Sequence, residues 1–147
     1  MEQSFVMVKP DGVERGLIGE IISRIEAKGL RLVALKIMKI EKDLAREHYI
    51  EHADKPFYGE LVGFITSAPV VAMVWSGPGA VKAIRTVMGT TDPLTATPGT
   101  IRGDFGIRVS HNLVHGSDSP EAASREIGLF FSPDELVNYE RQIDSWI

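Results

Sequence analysis

Three short runs of apolar residues, separated by segments with helical character, constrain the fold of this chain more than any other feature. The runs cover residues 5–8, 30–40 and 70–75, and each reads as a β-strand. Within the second run, Val33, Leu35 and Ile37 alternate onto one predicted face of the strand. Helices are predicted between and after the runs, at residues 17–28, 43–52, 59–66, 79–88 and 120–130.

The order of these elements predicts the fold class. A brief fourth strand at residues 112–115 completes the order β-α-β-(αα)-β-α-β-α. That order is typical of ferredoxin-like (split βαβ) α+β proteins, and we expect four antiparallel strands with helices on one face. No repeat, linker or low-complexity tract interrupts the sequence, so residues 1–147 are predicted to form a single domain.

Composition excludes several classes of protein. No apolar run approaches the ~18 residues that span a membrane, and the N-terminus lacks the pattern of a signal peptide, so we expect a cytoplasmic protein. The chain has no cysteine, which rules out disulfides, thiol nucleophiles and cysteine-bound metals. The net charge of −4 gives no support for binding to nucleic acid and means that any anion site is a local cluster of cations.

Residues 89–111 show neither helical nor strand periodicity. Glycine, threonine, proline and aspartate dominate this segment. A structureless loop of about twenty residues is uncommon in a compact domain. The segment is therefore either a functional loop or one whose regular structure the pattern hides.

Three short motifs point to functions that the rest of the sequence does not support. Residues 77–82 resemble a phosphate loop but match neither glycine-rich consensus, so a plain turn is favoured. Residues 104–106 spell Asp-Phe-Gly without the other motifs of a protein kinase. Two pairs of histidines have a spacing of four residues but lack the glutamate of a zinc-protease motif. These pairs are His48 with His52 and His111 with His115.

His115 is the strongest candidate for a reactive group. It lies at the end of the last predicted strand and is followed by Gly116, Ser117 and Asp118, which supply close backbone approach and polar partners. Cations at the ends of elements and in the long loop could converge on it as an anion clamp. They are Lys9, Arg85 and Arg102, with Lys55 and Arg108 as possible additions. Taken singly, each cation is more typical of a solvated surface charge, and the alternative for His115 is a buried structural histidine, against which its surroundings argue.

With these residues in this order, the sequence resembles the nucleoside diphosphate kinase family. The resemblance runs in collinear order over essentially the whole chain, and the family signature N-x-x-H-G-S-D is complete at residues 112–118. The other segments that carry it are residues 8–12, 48–49, 55–58, 85–89 and 99–105. Lys55 departs from the family, which often has arginine there.

The resemblance implies a ping-pong reaction in which the γ-phosphate of a nucleoside triphosphate passes to Nδ1 of His115 and then to a nucleoside diphosphate. It assigns the ribose hydroxyls to Lys9 and Asn112, and the phosphates to Arg85, Thr91 and Arg102. It assigns the base to Phe57, with Val109 opposite, and the orientation of the histidine to Tyr49, Ser117 and Glu126.

We expect Mg²⁺ to arrive with the nucleotide and to keep several of its waters, with Asp118 as an outer-shell contact and no direct protein ligand. The resemblance also implies a homo-oligomer, either a hexamer or a tetramer, whose contacts include the 89–111 loop. The alternative function is a catalytically silent nucleotide-sensing or interaction module with the same fold.

Overall fold

The computed structural model describes residues 1–147, and its elements follow the predicted order. The strands are β1 (Glu2–Val8), β2 (Arg31–Met38), β3 (Val70–Gly77) and β4 (Val114–Gly116). The helices are α1 (Pro10–Glu14), α2 (Ile18–Ala27), α3 (Lys42–His48), α4 (Tyr58–Ile65), α5 (Ala80–Met88), α6 (Ile101–Phe105) and α7 (Pro120–Phe130). Short 3₁₀ turns occupy Ile50–His52, Pro133–Glu135 and Gln142–Trp146. No helix is both long and apolar enough to cross a membrane.

The four strands form one sheet in the order β2-β3-β1-β4, and every neighbouring pair is antiparallel. This is the split βαβ arrangement, so the predicted ferredoxin-like fold class is confirmed. The register places Val6 opposite both Met73 and Gly116, and Met7 opposite both Ala72 and His115. The central strand β1 therefore fixes the position of His115 through its pairing with β4.

Helices cover both faces of the sheet, which corrects the expectation that they lie on one face only. Val6 and Val8 pack in a core with α2 and α5, whereas Phe5 and Met7 pack in a second core with α3, α4 and α7. Most of β1 and all of β3 are buried. A continuous apolar strand needs cover on both faces, because successive side chains point to opposite sides.

The edge strand β2 also differs from the prediction. Its pairing with β3 is irregular between Leu32 and Ala34, where one extra residue is inserted. Val33 is buried, but Leu35 and Ile37 are 50% and 65% exposed. The inserted residue breaks the alternation that the sequence predicts, since a shift of one residue moves every later side chain to the other face.

The 89–111 segment is ordered and includes α6. The hydroxyl of Thr100 accepts a hydrogen bond from the Gly103 amide and caps this helix. Gly103 packs so closely that a Cβ there would lie 2.1 Å from the carbonyl oxygen of Thr97. The sequence hides the helix because its five residues are too few to show periodicity.

Candidate active site

A cavity of about 310 Å³ lies where the ends of β1 and β4 meet α3, α5, α7 and the 89–111 loop. Its lining is mostly polar and charged. The predicted site residues that line it are Lys9, Tyr49, Arg85, Thr91, Arg102, Asn112, His115, Asp118 and Glu126. Residues that are far apart in the sequence thus converge on one cavity, as the anion-clamp interpretation requires.

The His115 ring is held by a hydrogen bond to the Glu126 carboxylate. Nε2 of His115 lies 3.0 Å from Oε1 of Glu126, which α7 carries toward β4. Oγ of Ser117 donates to the same oxygen at 2.6 Å. Because a carboxylate can only accept, Nε2 carries the ring proton and Nδ1 keeps the free lone pair. Sequence alone leaves open which nitrogen meets Glu126, and the geometry selects Nε2.

Glu126 is ionised at neutral pH despite its burial. Burial raises the pKa of this carboxyl group, but the hydrogen bonds from His115 and Ser117 and the charge of His115 lower it by more. The net result is a pKa below the usual range of glutamate. The carboxylate can therefore stabilise positive charge that develops on the His115 ring.

Two further side chains lie beside His115: that of His48, the last residue of α3, and that of Tyr49, which follows it. The ring of His48 meets that of His115 edge to face, with centroids 4.9 Å apart. Burial, together with the charge of His115, lowers the pKa of His48 to about 3, so its imidazole is neutral. Burial and Glu126 raise the pKa of Tyr49 to about 12, so its phenol keeps its proton.

Asn112 connects Lys9 to the loop. Its Oδ1 accepts from Nζ of Lys9 at 2.8 Å, and its Nδ2 donates to the Thr91 carbonyl at 3.0 Å. Burial and the nearby Arg102 lower the pKa of Lys9 to about 8, although Asp11 opposes them. The side chains of Lys9 and Asn112 are therefore fixed relative to each other before any ligand binds.

The backbone beside Asn112 is strained. Leu113 has φ of 76°, a conformation that costs a residue with a Cβ on the order of 1–3 kcal/mol. Its amide donates to Oδ2 of Asp11 at 3.0 Å, and its carbonyl accepts from the Lys9 amide at 2.9 Å. These two bonds hold the turn that brings Asn112 and His115 to the same cavity.

The two arginines play different structural parts. Arg102 is 5% exposed, and its guanidinium donates to the carbonyls of Gly89, Asn112 and Val114 at 3.1, 3.2 and 2.7 Å. Burial and the charge of Arg85 lower the pKa of Arg102 to about 10. Arg85 is exposed and makes a single bond, to the Gly116 carbonyl at 3.3 Å.

Three predicted residues lie outside the cavity lining. Ser117 is fully buried and acts through Glu126. Phe57 is 43% exposed and directly precedes α4, and Val109 is 52% exposed and follows α6. Nζ of Lys55 lies 5.7 Å from the Phe57 ring.

Sequence reasoning missed five residues that line the cavity: His48, Glu51, His52, Ala122 and Arg125. Arg125 donates to the carbonyls of Glu47 and His48 at 3.2 Å, which ties α7 to α3. A signal was available in the spacing, because Ala122, Arg125 and Glu126 share one face of α7.

The misleading motifs have ordinary structural roles. Gly79, with φ of 57°, precedes α5, and the Val81 amide donates to Glu2, so residues 77–82 form a turn as expected. Asp104 accepts hydrogen bonds from Arg24 and from the Gly99 amide. The ring of His111 meets that of Phe64 edge to face, outside the cavity.

Comparison with known proteins gives one consistent family. The sequence model described as nucleoside diphosphate kinase matches residues 2–136. The nucleoside diphosphate kinase of Natronomonas pharaonis is 62% identical over 99% of this chain and 96% of its own, and that of Archaeoglobus fulgidus is 58% identical over 100% and 97%. A Halobacterium salinarum nucleoside diphosphate kinase in complex with CDP is 57% identical and superposes with a TM-score of 0.96, covering 99% of this chain and 97% of its own.

Proposed function

Because this chain belongs to the nucleoside diphosphate kinase family, and is thus a nucleotide-binding phosphotransferase, we propose that it transfers the γ-phosphate of a nucleoside triphosphate to a nucleoside diphosphate through a phosphohistidine at His115. The observation that carries this mechanism is the 3.0 Å contact between Nε2 of His115 and Glu126. It supports this mechanism because a proton on Nε2 leaves the lone pair of Nδ1 free to attack phosphorus.

In the first half-reaction, the lone pair of Nδ1 attacks the γ-phosphorus, and the bond from that phosphorus to the β–γ bridging oxygen breaks. The nucleoside diphosphate leaves with that electron pair, and the ring of His115 gains positive charge. Nε2 keeps its proton throughout, and the Glu126 carboxylate stabilises the charged ring. In the second half-reaction, a terminal oxygen of another diphosphate attacks the phosphorus of the phosphohistidine, the bond from that phosphorus to Nδ1 breaks, and its electron pair returns to Nδ1 to restore the neutral imidazole.

The other predicted residues take the roles that the family resemblance gives them. Lys9 and Asn112 hold the ribose hydroxyls. Arg85 and Thr91 contact the phosphates, and so does Arg102 through the guanidinium donors that the three carbonyls leave free. Phe57 stacks on the base, with Val109 opposite. Stacking tolerates any base, because every base has a π-face.

Mg²⁺ enters with the nucleotide in this proposal and neutralises charge on the phosphates. Asp118 fits an outer-shell contact, since it lines the cavity beside Arg85 and its carboxylate has no ion-pair partner in the chain. No direct protein ligand to Mg²⁺ is proposed.

We also propose a cytoplasmic homo-oligomer, a hexamer or a tetramer. Exposed apolar side chains support self-association, because patches of this kind mark contact surfaces. They lie on β2, in the 89–111 loop and in the C-terminal tail, and include Leu35, Ile37, Leu94, Ile107 and Trp146.

Labelling with γ-³²P-ATP tests the function. The wild-type protein is expected to take up label that survives alkali and is lost in acid, and to pass it to added GDP. His115→Asn should take up none, while His111→Asn, an exposed histidine outside the cavity, should label normally. Label in His115→Asn would refute the assignment, and absence of label in the wild type would favour the catalytically silent alternative.

A further inference from the structure

A second imidazole, that of His48, stands beside the His115–Glu126 pair at the cavity, and the proposed phosphoryl transfer gives it no role. One ligand atom from each of His48, His115 and Glu126 lies within 4.8 Å of the other two. All three side chains line the cavity, which gives a small ion access to them. His48 is 5% exposed, and its Nδ1 is buried without a hydrogen-bond partner, an uncommon state for a polar atom.

We propose that these three residues form a site for Zn²⁺. Two imidazole nitrogens and one carboxylate oxygen are a donor set that binds zinc in a tetrahedral site with one open position. Mg²⁺ prefers oxygen ligands and keeps several of its waters, so the ion that accompanies the nucleotide does not compete for this site.

The three ligand atoms lie up to 4.8 Å apart, so coordination requires them to approach one another by up to about 1.5 Å. Ligands bonded to zinc at about 2.0–2.1 Å in a tetrahedron lie about 3.3 Å apart. Nε2 of His115 and Oε1 of Glu126 are 3.0 Å apart, so a few tenths of an ångström separate them from that geometry. Ser117 holds the carboxylate through its hydrogen bond at 2.6 Å and acts as the outer-shell partner that zinc ligands commonly have.

Coordination would change which nitrogen of His115 can react. Nε2 binds the metal through a lone pair, so its proton leaves, and a proton is taken up at Nδ1. The ring stays neutral, but Nδ1 no longer has the lone pair that attacks phosphorus. Zn²⁺ therefore inhibits phosphorylation by switching the tautomer, without filling the part of the cavity that holds the nucleotide.

The metal site stands on the geometry alone, whereas its effect on activity rests on the proposed role of His115. Binding is measured first by calorimetric titration of Zn²⁺ into nucleotide-free protein in excess Mg²⁺. The chain has no cysteine and four histidines, so few other strong zinc sites compete. We expect one ion per chain.

His48→Gln removes one nitrogen ligand and leaves His115 and Glu126 in place. It should weaken Zn²⁺ binding at least about tenfold, while the matched control His111→Gln should bind as the wild type does. Nitrogen-15 NMR of the histidines in the wild-type protein gives a readout that needs no variant. Saturation with Zn²⁺ should move the His115 proton from Nε2 to Nδ1.

The outcomes separate the two proposals. A stoichiometry below one Zn²⁺ per chain would overturn the metal site. Equal Zn²⁺ affinities of His48→Gln and the wild type would also overturn it. Stoichiometric binding with the expected tautomer switch, in a protein that takes up no label from ATP, would keep the metal site and reject the proposed function. Unchanged labelling in the zinc-saturated protein would reject inhibition.

Discussion

The carboxylate of Glu126 reaches from α7 to within 3.0 Å of Nε2 of His115 on β4. Eleven positions separate the two residues, so a single strand-to-helix connection places both. Ser119 caps α7 by accepting from the Ala122 amide, and Pro120 occupies the first helical position. The helix start is thereby fixed, and with it the depth at which Glu126 meets the ring.

Glu126→Gln tests this contact. The amide retains an oxygen at the same place but loses the charge that stabilises the His115 ring, so we expect the phosphorylation step to slow by about 10–100-fold. Single-turnover labelling with ATP measures the step, and KM should change little because nucleotide contacts remain. Glu121→Gln makes the same substitution on an exposed position of α7 and should keep the wild-type rate. A loss confined to KM would contradict the assignment.

The fold could be predicted where runs of apolar residues were long and where turn or capping residues marked the ends of the elements. The class, the order of elements and the start of α7 follow from buried strands, helical spacing and the Ser-Pro cap. The cover on the second face was missed, although the unbroken apolar run of β3 indicates it. The insertion in β2 leaves no local signal, because it depends on pairing with β3.

Within the site, sequence reasoning found the groups but not their connections. The family resemblance selected Arg102, but not the three carbonyls that its guanidinium binds, which lie 10 to 13 positions away at the end of α5 and around the start of β4. The spacing of His48 and His52 drew attention only to a zinc pair, which the missing glutamate argues against, and the sequence indicated no other partner for His48. Its actual neighbour is His115, which lies 67 positions later and 4.9 Å away.

Replacing the two arginines separates stability from chemistry. Arg102→Ala leaves three carbonyls without a buried charged donor, so we expect the free energy of unfolding to fall by about 3 kcal/mol or more. Arg85→Ala removes an exposed side chain and should change stability by less than about 1 kcal/mol, while still slowing transfer. Urea denaturation and single-turnover labelling of both variants make the comparison. Equal stability losses would show that the carbonyl contacts of Arg102 contribute little.

Nucleotide affinity should fall as the pH rises through about 8. Burial and Arg102 lower the pKa of Lys9 to about 8, so its positive charge is lost above that pH in the unliganded protein. A bound nucleotide favours the charged ammonium form of Lys9. Above pH 8, binding must therefore return a proton to Lys9, and the free-energy cost of this protonation grows as the pH rises. Calorimetric titration with ADP between pH 7 and 9.5 measures this effect. Lys9→Gln should bind weakly at every pH, whereas Lys82→Gln, a change of lysine at an exposed position of α5, should keep the decline.

His48 should make the folded state less stable as the pH falls from 7.5 to 5. Burial and the neighbouring His115 lower its pKa to about 3, against about 6.5 in the unfolded chain. Between these values the unfolded chain binds a proton that the folded chain does not, so acid favours unfolding. The linkage amounts to about 2 kcal/mol between pH 7.5 and pH 5, at 1.36 kcal/mol per pH unit below 6.5.

Urea denaturation at pH 7.5 and at pH 5, at one protein concentration, measures this difference in the free energy of unfolding. His48→Gln should reduce the difference in unfolding free energy by that amount, even if the variant is less stable at both pH values. His111→Gln should retain the full difference, because that histidine is exposed. The chosen pH interval lies above the lowered pKa of Glu126, so the carboxylate stays ionised and does not add to the difference. An unchanged difference in His48→Gln would mean that His48 takes up its proton in the folded state, and that its contact with His115 does not keep it neutral.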